Sequence, residues 1–252
     1  MQSLIYVKPL LIFHKPHPFP DTNLPFLKLS ALFLRYRRMR ILLLLILLPL
    51  GLIAQPKAQD PFAGKVLDKM GRYYAGLNSF KATYTLEGQT NAGKPLNKAK
   101  AAITVQKQSF HISLPDMDIS CDGKTLANYN RAKNEVTLAD YEPDADEVTP
   151  TNIYTLHQRG FKYIILSELK TAKGPTYIID MEPEDLTRDI AKVRLFVTKA
   201  TSRLQKWIVY ERGTNNRQVL TLNTFVPNAP VKPTLFGFNR AAHKGVRVVD
   251  LR

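Results

Sequence analysis

The sequence predicts a mainly β protein laid out as an antiparallel meander, and three observations predict it. Apolar and polar residues alternate with a period of two through successive short runs, as strands with one buried face require. Turn-forming clusters separate those runs at intervals too short for the crossovers that parallel strands need. Only two stretches carry helical signals, so the sheet must supply most of the core. One face of such a sheet is solvated, and the other must enclose something.

Taken in order, residues 1–38 read as an upstream extension without a fold of its own, since Pro9, Pro16, Pro18, Pro20 and Pro25 interrupt each apolar piece. Met39 and Arg40 then precede the apolar run Ile41 to Ile53 and the segment A-Q-P-K-A-Q. That is the order of a charged n-region, an apolar h-region and a small-residue cleavage site, so residues 39–58 are expected to be a signal peptide. The run contains Pro49 and falls short of the ~20 residues that span a bilayer. Positions 54 to 60 hold no Cys to take a lipid. Residues 59–252 are left as a single exported domain.

From Phe62 to Leu77 apolar residues recur at three and four, with Asp60 placed to cap and Pro61 at the first turn, which predicts one amphipathic helix. The period then changes to two. Phe80, Ala82, Tyr84 and Leu86 alternate with polar neighbours, Asn91 to Pro95 closes a hairpin, and Ala99 to Val105 and Phe110 to Leu114 repeat the alternation. Between Ile119 and Tyr141 a hairpin pair turns at Asp122-Gly123 and at the polar stretch Asn130 to Asn134. An acidic loop follows, and then Thr149-Pro150 with the signature of a short helix start. Phe161 to Leu166 is apolar enough to need cover. Further strands are expected around Ile179, Leu195, Trp207, Val219 to Phe225, Leu235 to Phe238 and Val246 to Leu251, making about eleven in all.

The formal charge is +15, of which residues 1–54 hold seven Lys or Arg and one Asp, so the remainder carries +9. That balance suits anionic lipid surfaces or acidic partners. Nucleic acid is not expected, because the leader exports the chain and the lysines scatter over many turns. Cys121 is the sole cysteine, which excludes an intramolecular disulfide and a cysteine-based zinc site. The acidic run Asp140 to Glu147 lacks the glycine and distal Glu of a calcium loop, and His111, His157 and His243 fall in no catalytic motif. No enzyme, metal or cofactor is expected.

The ordered set S-C-D-G-K-T-L-A-N-Y-N, E-V-T-L and T-P-T-N-I, with the ending F-G-F-N-R-A-A-H-K-G-V-R-V-V-D-L-R, resembles the LolA-type periplasmic lipoprotein carriers over roughly residues 60–252. The resemblance implies an antiparallel incomplete, half-open β-barrel with helical lid segments over an apolar cavity for acyl chains. It also implies a monomeric periplasmic protein that receives lipoproteins from an inner-membrane lipoprotein-releasing transporter and hands them to an outer-membrane acceptor of unknown identity. Parity along the strands then puts Tyr84, Ile103, Phe110, Ile112, Leu126, Val136 and Leu138 on the cavity face, with Ile153 and Leu156 on the lid. Two positions depart from the best-known carriers: Ala127 replaces a Trp, and Gln108-Ser109 replaces an Arg-Pro pair whose Arg latches the lid. A structural or other hydrophobic-ligand-binding periplasmic β domain is the competing reading, with a cryptic hydrolase behind it.

Protein recovered after export should begin at or near Gln55 or Gln59, as read by N-terminal mass analysis. Material that keeps Ile41 to Ile53 and sediments with membranes would contradict it.

Overall fold

A computed structural model describes residues 59–142 and 148–252; the expected extension and signal peptide, and residues 143–147 of the acidic loop, lie outside them. Helix α1, Pro61–Ala75, comes first. Strands β1, Phe80–Thr90; β2, Pro95–Gln106; β3, Ser109–Ser113; β4, Met117–Cys121; β5, Thr125–Asn130; and β6, Glu135–Asp140 follow. After a connecting segment come β7, Phe161–Thr171; β8, Gly174–Pro183; β9, Ile190–Thr198; β10, Leu204–Glu211; β11, Asn216–Pro227; and β12, Arg247–Asp250. They form a single twelve-stranded sheet in the order β12-β6-β5-β4-β3-β2-β1-β11-β10-β9-β8-β7.

The topology is two meanders joined by the long β1–β11 pair, and every pairing is antiparallel except β12 on β6. Since β6 and β7 lie near opposite edges of the sheet, the chain between them has to cross from one side to the other. The sheet does not close, so the observed architecture is an open half-barrel.

Sequence and local structure agree at the helix. Asp60 is the N-cap, its Oδ1 accepting from the N–H groups of Phe62 and Ala63 at 2.9 and 3.1 Å, and Pro61 sits in the first turn where its missing N–H costs nothing. Gly123, with φ of 95°, makes the turn between β4 and β5, and Asp122 caps it by accepting from the N–H groups of Lys124 and Thr125.

Three expectations are corrected. Residues after Thr149 form turns and a 3-10 turn at Leu156–Gln158 instead of an α-helix, because Thr151, Asn152, Ile153 and Thr155 are poor helix formers and the Asn152 side chain takes the Thr149 N–H. Leu235 to Phe238 is no strand; the 3-10 turn Pro233–Leu235 occupies its start. Val136 and Leu138 are on the other face of the sheet from Tyr84. The four-residue turn 131–134 pairs Asn130 with Glu135 and Leu126 with Ala139, so odd residues of β6 share a face with even residues of β5.

Val136 and Leu138 instead join a second apolar cluster on the convex face. Ala127, Val136 and Val246 are buried there, with Tyr129, Leu138, Phe238 and Val248 packed around them beneath the C-terminal segment. Asn134, held at φ of 46°, fastens that cover: its amide donates to Lys244 O, its carbonyl accepts from Arg247 N, and its Oδ1 accepts from Tyr129 Oη. Val136 is fully buried in this cluster. Val136→Ala should therefore cost about 1 to 3 kcal/mol in chemical denaturation and speed amide exchange across residues 229–252. A loss confined to strands β1 to β3 would contradict this placement.

Candidate functional site

The concave face is assembled by register. Phe80, Val105, Phe110, Cys121 and Leu126 form one cross-strand row, and Ala82, Ile103, Ile112, Ile119 and Asn128 form the next. On the other side of β1, Tyr84 lies opposite Leu222, and two residues further along Leu86, Leu220, Trp207, Leu195 and Ile179 form a row across β1, β11, β10, β9 and β8. Tyr84, Ile103, Phe110, Ile112 and Leu126 thus share this face, as parity requires. Tyr84 packs edge-on against Trp207 with ring centroids 5.2 Å apart.

Two segments fill the concavity. Helix α1 buries Leu67, Met70 and Tyr74, and the connecting segment buries Ile153, Tyr154, Leu156 and His157. Ile153 and Leu156 have no exposed surface. Tyr74 and Tyr154 stack with centroids 3.5 Å apart. The two segments can approach this closely because position 71 is glycine: a Cβ there would stand 3.2 Å from the Tyr154 carbonyl oxygen.

The helix is tied to the sheet by polar groups. Asp60 N donates to Tyr163 O at 3.2 Å, and Asp60 Oδ2 accepts from Ile165 N at 3.2 Å. The donors Ala63, Ile165 and Phe62 together hold the Asp60 carboxyl below its usual range. Tyr74 Oη accepts from Leu204 N at 3.2 Å. The connecting segment differs. Among the described residues its backbone bonds run within it, from Asn152 and Ile153 to Thr149, Thr155 to Asn152, Gln158 to Thr155 and Arg159 to Leu156. Its polar tie to the helix is His157 Nε2 to Asp68 Oδ1 at 3.0 Å. Towards the sheet it buries Ile153, Leu156 and Tyr154, the last with its hydroxyl beside that of Tyr84.

The space left over is divided. A cleft of about 310 Å³ opens where the helix end and the connecting segment meet the β2–β3 turn, lined by Tyr74, Leu77, Phe80, Val105, Lys107, Gln108 and Tyr154 among others. A smaller cavity of about 190 Å³ lies at the far end of the barrel against Leu86, Ala99 and Leu220, with Glu87, Gln89 and Arg217 at its rim. Both sit at or below the low end of the ~300–1,000 Å³ typical of a ligand pocket.

The helix is where the sequence places a lid piece, and it buries Leu67 and Met70; what the expected site residues leave out is the second meander, whose Trp207, Leu195, Ile179 and Met181 are all essentially inaccessible. The same period-two alternation marks these strand residues. No chemistry is assembled around Cys121. It is buried on the concave face, burial pushes its thiol up, and His111 pairs with Ser120 on the opposite face. Among the described residues no group of three His, Cys, Asp or Glu is placed to hold a metal, and no helix is long and apolar enough to cross a membrane.

Burial pushes the Tyr84 phenol up to about 12 and raises Tyr74 and Tyr154 as well. The unfolded phenols ionise near 10 while the folded ones stay protonated. Stability is therefore full below pH 10 and is lost as pH rises from 10 towards 12 and beyond. Tyr84→Phe should make that loss shallower by about 1.4 kcal/mol per pH unit, read from urea midpoints at a series of alkaline pH values. An unchanged slope would mean that Tyr84 is not buried as described.

No family model matches the sequence, and no curated protein does. Solved structures do. An uncharacterised conserved protein from Thermus thermophilus is similar with a TM-score of 0.52 at 13% identity, covering 75% of this chain and 99% of that one. A LolA superfamily protein from Nitrosomonas europaea is similar at 0.38 and 10% identity, over 70% of this chain and 97% of its own. The lipoprotein LppX of Mycobacterium tuberculosis follows at 0.42 and 10%, over 69% and 98%. At such identities the likeness is one of fold alone, and the fold of this chain is an open half-barrel with a helix set into its concave face.

Proposed function

We propose that this protein is an exported, periplasmic carrier that shelters acyl chains, those of lipoproteins in transit from inner to outer membrane, in the concavity of its half-barrel. One observation carries the reading: among the described residues, the segment 148–158 that fills much of the concavity keeps its backbone bonds to itself and meets the sheet through the buried side chains of Ile153, Tyr154 and Leu156. A segment held in that way can leave without breaking the sheet. An acyl chain can then replace it like for like, since burial of hydrocarbon is non-directional and contributes about 0.8 kcal/mol per CH₂. Carriage of this kind requires no chemistry at the site, and no catalytic role is assigned.

In this reading Tyr84, Ile103, Phe110, Ile112 and Leu126 line the acyl site, while Ile153 and Leu156 of the lid hold it shut until the ligand enters. Lys107 and Gln108 stand at the cleft where the segment meets the β2–β3 turn, the edge from which it would lift. A second reading, a structural β domain, is favoured by the full burial of Ile153 and Leu156. The two differ in what happens when the plug is weakened.

The test is titration with a dansyl-labelled long-chain fatty acid. Saturable binding should be accompanied by faster amide exchange in residues 149–158 while β1 and β11 stay protected. Ile153→Ala removes contacts made only in the shut state, which lowers the opening cost and should tighten apparent binding by about tenfold or more. The structural reading predicts that neither parent nor variant binds the probe. Absence of binding in both would end the carrier proposal.

A further inference from the structure

The sheet terminates in β7, an edge strand of 11 residues. Such an edge offers its outward N–H and C=O groups to any strand that can reach them. The first half of β7 is covered, because Tyr163 O and Ile165 N are both taken by Asp60 and Phe161 O accepts from the Gln59 side chain. The register shifts by one residue between Ile165 and Ser167. Beyond that shift Ser167 to Lys170 are exposed, and no backbone partner covers their outer side among the described residues. Leu166 and Leu169 are 47% and 48% exposed, an unusual presentation for leucine on a strand with a free edge.

We propose that this half of β7 pairs with the same strand of a second copy of the chain, antiparallel and centred on Leu169. Outward-pointing backbone groups alternate along a strand. They belong to Tyr163 and Ile165 before the shift and, displaced by one residue, to Glu168 and Lys170 after it. Two copies related by a two-fold axis must bring outward groups face to face. Over these residues three registers do so. Glu168 against Glu168 and Lys170 against Lys170 each set like charges directly opposite, which is destabilising. Glu168 against Lys170 sets opposite charges together twice and places Leu169 against Leu169 as the close, non-hydrogen-bonded pair.

Charge complementarity therefore selects both the partner and the register. Glu168 at present meets Lys199 at 3.0 Å, in an exposed ion pair that exchanges easily. The interface is short, well under the ~1,200 Å² of a standard complex, so the dimer forms at high concentration and dissociates readily. It departs from the monomer that the family resemblance implies.

Sedimentation velocity from micromolar to millimolar protein tests it. The parent should shift towards dimer across that range. Glu168→Lys and Lys170→Glu should each raise the dissociation constant by about tenfold or more, because either change sets like charges opposite twice. The double variant E168K/K170E, whose composition is that of the parent, should dimerise again, a recovery that a merely structural role for these side chains does not give. A parent that stays monomeric throughout, single variants that associate as the parent does, or a double variant that fails to recover overturns the proposal.

Discussion

A sheet that curves without closing must bury its concave face against something other than itself, and the rest of this structure follows from that constraint. The strands from β5 across to β8 present one continuous apolar surface, from Leu126 through Phe110 and Phe80 to Leu195 and Ile179. Leaving it wet would forfeit roughly 25 cal/mol for every Å² of apolar area. Helix α1 covers part of it and is fixed there by Asp60 and Tyr74. The crossing between the two edges of the sheet covers more. Topology makes that crossing unavoidable, and its Ile153, Tyr154 and Leu156 supply the apolar cover.

The helix was legible because its information is local. Asp60, Pro61 and a three-four spacing sit within a few residues of the structure they determine. The alternating strands were legible for the same reason, and so was the face of Tyr84, Ile103, Phe110 and Ile112. Parity stopped being readable at the turn 131–134, whose length decides which residues of β6 meet which of β5. Val136 and Leu138 alternate as cleanly as any others, yet they point to the C-terminal cover. Pattern tells that a face is apolar and says nothing about which of two apolar layers it joins. At Thr149-Pro150 the cap signal was real, since Thr149 Oγ1 accepts from Thr151 N and Asn152 N. What followed could not propagate a helix.

The two edges of the sheet are protected in different ways. The β12 edge is four residues long and ends in charge, with Arg247 paired to Glu135 and Arg252 to Asp250. Its short length leaves little for another strand to join. The β7 edge is long and, among the described residues, is covered where residues 59 and 60 run beside it and not beyond. The residues that cap the helix are thus the residues that shield half of the edge, so helix docking and edge protection are one event. The other half is left with alternating charge of opposite sign, which rejects most registers and accepts one.

The connecting segment is where the balance of forces is narrowest. Ile153 and Leu156 bury fully, and each contributes on the order of 2 kcal/mol. Against that, closing the segment orders an irregular stretch of backbone at roughly 1 to 2 kcal/mol per residue. It also brings the His157 ring inside with Nδ1 facing no protein partner. An α-helix would have repaid part of that cost through cooperative backbone bonds; turns and one 3-10 turn repay less. The shut state therefore rests on apolar contacts that any hydrocarbon can imitate, while the sheet beneath it is held by backbone pairing that hydrocarbon cannot. A half-barrel with a rigid wall and a replaceable plug is the arrangement that this division of forces produces.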